Sequence, residues 1–176
     1  MTVMMANVVR SVRALLLLLL AMLVVQADAA LAQMPAAIAA PDATPIVTLH
    51  AAGAQIYQCK AGSDGKLTWA FREPIAALIA DGQTVGRHYA GPTWEHNDGS
   101  AVTGKVVAKA PGATPNDVAW LKLEVVGRRG SGTLGAASIV QRTNTSGGAL
   151  SGACDAAGAL RGIPYSADYV FLRRGG

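Results

Sequence analysis

Apolar and polar residues alternate one for one along much of this chain, the period-two pattern of strands with one buried face. Leu67, Trp69 and Phe71 fall on one side, with Lys66, Thr68 and Arg72 on the other. Val102, Val106 and Ala108 oppose Thr103, Lys105 and Lys109, and Leu121, Leu123 and Val125 form an apolar stripe within 118–126. Near the end, Tyr165, Tyr169 and Phe171 share a face opposite Ser166, Asp168, Val170 and Leu172. Leu134, Ala136 and Val140 alternate with Ala137 and Ile139, a strand apolar on both sides. Two earlier strands are expected over 46–49 and 55–60. Turn signals punctuate the pattern. Asp-Gly stands at 64–65, 81–82 and 98–99, and Glu73-Pro74 and Gly91-Pro92 fall between them. Gly tolerates positive φ and Pro resists regular pairing, so both mark turns. The rhythm predicts a meander turning alternately at opposite edges, with strands over 66–72, 75–80, 83–90, 93–97 and 100–109. The Gly- and Ala-rich stretch 144–163 reads as a long loop. The expected fold is all-β: an antiparallel meander closing into a barrel or a two-sheet sandwich, since closure removes exposed edges.

The first 32 residues break the pattern. Arg10 and Arg13 precede an unbroken apolar run from Ala14 to Val25, and small residues follow it. That is the layout of a signal-peptide helix, and the run is short of the roughly 20 residues a membrane span needs. Cleavage fits before Ala30 or before Gln33; the second, after Ala30-Leu31-Ala32, divides the chain best. Residues 33–45 carry three Pro and read as an extended Pro/Ala-rich linker. Residues 46–176 then form a single β-rich domain.

Removing the leader changes the charge balance. The whole chain has 15 basic and 11 acidic residues. Without Arg10, Arg13 and Asp28 the remainder holds 13 and 10, a net of +3. Only Arg128-Arg129 and Arg173-Arg174 are adjacent cations, so no clustered basic face points to nucleic acid. After cleavage no stable membrane span is expected. The two Cys, Cys59 and Cys154, pair most simply as one disulfide in an exported protein.

Candidate chemistry concentrates in His88-Tyr-Ala-Gly-Pro-Thr-Trp-Glu-His-Asn-Asp-Gly-Ser100. A His titrates near neutrality, and a nearby carboxylate such as Glu95 would hold and tune it. Arg142, Tyr165 and Asp168 lie on later strands that could converge on the same cleft. The candidate cleft is therefore His88, Trp94, Glu95, Arg142, Tyr165 and Asp168. No Ser, Cys or Lys sits in a nucleophile motif. His50, His88 and His96 show no HxH or HExxH spacing, so neither metal nor cofactor is expected. Gly130-Ser-Gly132-Thr-Leu-Gly135 matches a dinucleotide fingerprint in letters only. The residues after it look like a strand, whereas the fingerprint needs a helix there.

The runs Gln55-Ile-Tyr-Gln-Cys59, Gly86-Arg-His-Tyr-Ala-Gly-Pro-Thr-Trp94, Asp98-Gly-Ser100, Val140-Gln-Arg142, Thr145-Ser-Gly-Gly148 and Pro164-Tyr-Ser-Ala-Asp-Tyr169 occur in this order. Together they resemble the exported family called domain of unknown function 3455. The resemblance implies an exported β-rich domain with both Cys positions occupied, and no accepted activity. The expected function is a periplasmic or extracellular binding module for a small molecule or envelope component. The alternatives are a small hydrolase or lyase using a His88–carboxylate pair, and a structural surface protein with no small-molecule site.

Overall fold

A computed structural model describes residues 34–175; the segment read as a signal peptide, 1–32, lies outside them. Eight strands follow in chain order: β1 (Ala43–Ala61), β2 (Leu67–Ala80), β3 (Gln83–Tyr89), β4 (Thr93–His96), β5 (Ala101–Ala110), β6 (Trp120–Arg129), β7 (Ile139–Gly147) and β8 (Leu160–Arg174). Each pairs antiparallel with its sequence neighbour, and β8 returns to β1. The all-β expectation holds, and of the two closures the chain adopts the barrel. Closure pairs every strand on both sides and leaves no sheet edge.

The two early strands are one. β1 runs for 19 residues and buries Leu49, Ala51, Gln55, Tyr57 and Cys59 on its inner face. Gly53 permits this continuity, because a Cβ there would run into the Ile75 carbonyl and Ala76 of β2.

Glu73-Pro74 is not a turn. It lies within β2, where the pairing passes from Tyr57–Phe71 to Ile56–Glu73 and leaves Arg72 as an extra residue. A bulge of this kind tolerates Pro and switches which side chains face inward. Phe71 before it and Pro74, Ala76 and Leu78 after it therefore share the inner side. The three Asp-Gly pairs are turns, and Asp81 and Gly82 both take positive φ (50° and 74°), as a two-residue hairpin requires. They do not share one edge. Asp64-Gly65 and Gly91-Pro92 sit at one end of the barrel, Asp81-Gly82 and Asp98-Gly99 at the other.

The long loop expected over 144–163 is shorter. β7 continues to Gly147 and β8 starts at Leu160. The strand survives past a register shift at Asn144, whose φ is 49°, and resumes pairing at Ser146–Ser166. The remaining connection, 148–159, is fastened to β1 by the Cys59–Cys154 disulfide. Part of the stretch read as a linker is also built in. Ala36–Ile38 form a 3-10 turn with Ile38 fully buried, and Ala43–Pro45 begin β1. The Gln141 amide donates to the Ile38 carbonyl at 2.6 Å and Lys122 Nζ to the Ala39 carbonyl at 2.9 Å.

The barrel is filled at one end. Leu49, Leu78, Val102, Leu123, Val140 and Phe171 pack there with Leu134 and Ala137 from the β6–β7 connection. Asp98 seats that connection. Its carboxylate accepts the Ser100 hydroxyl at 2.6 Å, the Ser100 amide at 2.9 Å and the Thr133 amide at 2.7 Å. These donors, the Ser100 hydroxyl first, hold the Asp98 carboxyl well below the usual range. The Gly130–Gly135 run is thus a plug loop. Gly132 lies against Asp98 where a Cβ would collide, and no helix follows.

Candidate functional site

The opposite end of the barrel is open. The connections 90–92, 111–119 and 148–159 border it, and between them lies a cavity of about 880 Å³. That is within the size of small-molecule sites, about 300–1,000 Å³. Its wall takes Gln55 and Tyr57 from β1, Phe71 and Pro74 from β2, His88 from β3, Trp94 from β4, Leu121 and Leu123 from β6, Arg142 from β7 and Tyr169 from β8. Pro92, 115–119 and 149–151 complete the rim. The rim is tied together. Tyr57 donates its hydroxyl to the Gly148 carbonyl at 2.7 Å and accepts the Leu150 amide at 3.3 Å, while Asp117 bridges to Gly148.

His88 and Trp94 face each other across the β3–β4 hairpin, in register. Their rings stack at 4.6 Å with 7° between planes. Tyr169 meets both edge-on, at 4.8 Å and 5.2 Å. His88 Nδ1 lies 2.8 Å from the Thr93 carbonyl. A carbonyl only accepts, so Nδ1 carries the proton and Nε2 keeps its lone pair for a ligand. Burial lowers the His88 pKa to about 4, helped by Arg142 and opposed by the Thr93 bond. The ring is therefore neutral at neutral pH. Burial likewise pushes the Tyr165 and Tyr169 hydroxyls up, so both stay protonated.

Arg142 donates through Nε to the Ala119 carbonyl at 2.9 Å and meets no carboxylate among the described residues. Asp117, at the rim, has its oxygens engaged by the Gly147 amide at 2.6 Å and by the Thr114 hydroxyl and amide at 2.7 Å and 2.9 Å. Gln55 Nε2 and Trp94 Nε1 are buried without a hydrogen-bond partner among the described residues.

Of the six candidate residues, the fold brings His88, Trp94 and Arg142 to the cavity. Tyr165 is buried beside it, its hydroxyl 3.5 Å from that of Tyr169, and does not line it. Glu95 and Asp168 do not join them. Each follows or precedes an inward residue on its strand, and alternation places it outside. Glu95 accepts Arg87 at 3.1 Å and the Tyr89 hydroxyl at 2.8 Å, with Arg129 at 3.3 Å. Asp168 pairs with His50 at 2.9 Å and accepts the Asn144 amide at 2.9 Å. No His88–carboxylate pair forms among the described residues. Among the described residues no group of three or more His, Cys, Asp or Glu could hold a metal ion, and no helix is long and apolar enough to cross a membrane.

Gln55, Tyr57, Phe71 and Tyr169 were not among the candidates. Gln55 has a signal in the sequence: it is a lone polar residue at the inward parity of Leu49, Ala51 and Tyr57. Tyr169 shares the apolar face of Tyr165 and Phe171. No curated protein and no solved structure matches the chain. One family model does match, over residues 39–84 and 79–173, nearly the whole barrel. By that match the chain belongs to the family described as Protein of unknown function (DUF3455).

Proposed function

We propose that the protein is an exported binding module of the periplasm or extracellular space that holds a small organic molecule in the open end of its barrel. The cavity carries this reading: a preformed concavity whose wall is about equally polar and apolar, with aromatic rings set beside polar groups of fixed orientation. Export is supported by the apolar leader and by the disulfide, a bond that persists in oxidising compartments. A hydrolase or lyase built on His88 lacks the partners expected for it, because Glu95 and Asp168 lie on the outer face. A purely structural role leaves the cavity without a use.

Calorimetry with a panel of small aromatic and aliphatic alcohols tests the reading. Saturable one-to-one binding is expected in the wild type and its loss in Leu121→Trp, which places an indole in the cavity. Binding that is equal in the two proteins, or absent from both, would contradict it.

A further inference from the structure

Resting on the small-molecule reading above, we propose that the cavity is selective for an organic monoanion, a carboxylate carried on an aromatic or aliphatic body. The argument is a count of donors and acceptors. The Gln55 and Trp94 side-chain nitrogens are buried within the wall and open no surface to the lumen, so the unpaired charged donor there is Arg142. Its guanidinium spends Nε on the Ala119 carbonyl and forms no ion pair among the described residues. The charged acceptor is already engaged. The one carboxylate in the wall, Asp117, is saturated by Thr114 and Gly147. His88 Nε2 offers a single lone pair. A ligand that completes this site must therefore bring acceptor atoms.

The charge count narrows the class. Among the described residues the cavity wall holds two cations, Arg142 and Arg72. Arg72 is paired with Glu73 at 3.0 Å. Arg142 and Asp117 offset each other in net charge, but Asp117 has its oxygens engaged, which leaves the planar guanidinium fork of Arg142 to match the two oxygens of a carboxylate. A phosphate dianion would bring one more charge than a carboxylate into a wall of Tyr57, Phe71, Trp94 and Tyr169, which is unfavourable. Those rings fit the apolar body instead.

The test compares two probes of similar size, 4-phenylbutyrate and 4-phenylbutanol, by calorimetry at neutral pH. The wild type is expected to bind the acid at least about tenfold more tightly, the equivalent of one hydrogen-bonded ion pair out of bulk water. Arg142→Gln is expected to abolish that preference while keeping affinity for the alcohol. Arg142→Lys keeps the charge without the fork and retains part of it. Equal wild-type affinity for acid and alcohol would overturn the monoanion inference and leave the binding reading standing. Failure of both probes to bind would overturn both. The wild-type comparison needs no variant, so a poorly folding Arg142→Gln does not blunt the test.

Discussion

Burial turns His88 from a candidate base into a pH-sensitive element of the core. Its pKa falls to about 4, against 6.5 for a free side chain. The unfolded chain therefore binds this proton more tightly than the folded one between these values. Stability is fully present above pH 6.5 and is lost as pH falls toward 4, by about 3 kcal/mol in total. Urea unfolding at several pH values checks this. The wild type should lose stability across that window, and His88→Gln should show a flatter curve there. The carboxyls of Glu95, Asp98 and Asp117, whose pKa values are lowered from about 4, act only at lower pH. Glu95 and Asp168 illustrate the opposite case, charged residues spent on the outer wall. Glu95→Gln and Asp168→Asn should leave cavity binding unchanged within about twofold, as surface ion pairs are worth little. A tenfold change measured by calorimetry would place these groups at the site after all. The sequence marked His88 and Trp94 because such residues stand out on an Ala- and Val-rich scaffold. It could not sort Glu95 from them, since neighbours on a strand face opposite ways and the inward parity is fixed only by the whole sheet.

At the scale of elements, turns were legible and bulges were not. The spacing of the Asp-Gly pairs spans one long strand, β2, the first time and two short strands, β3 and β4, the second. The letters are the same in both cases. What differs is the bulge at Arg72, which absorbs Pro74 inside a strand. The 148–159 connection depends on its tether. The disulfide joins positions 95 residues apart, and a loop of that order constrains the unfolded chain by roughly 4–5 kcal/mol. Replacing both Cys59 and Cys154 with Ala should cost about that much in urea unfolding; a loss below about 1 kcal/mol would contradict the entropic account. Gly53→Val tests the close approach of β1 and β2. Overpacking against the Ala76 backbone should cost at least about 2 kcal/mol. An unchanged midpoint would show that β2 yields easily.

For the whole molecule, closure is the feature that makes a site. Alternation predicts half-buried strands, and it is silent on whether the last strand returns to the first. Once β8 pairs with β1, the inward residues of all strands share one lumen. Leu134 and its neighbours fill one end; the other is left open because Gln55, His88 and Arg142 are polar and because its long connections stand around the mouth. A site assembled from nearly every strand has no short motif, which is why it could not be seen in any single run of residues. The chain has three Trp, and among them only Trp94 lines the cavity. The most direct measurement is therefore a titration of the nitrogen-15-labelled protein with 4-phenylbutanol or 4-phenylbutyrate, following the three indole N–H signals. A ligand in the lumen must shift the Trp94 signal saturably and leave that of Trp69 in place. Equal movement of Trp69 and Trp94, or movement of neither with both probes, would contradict a binding cavity at the open end of this barrel.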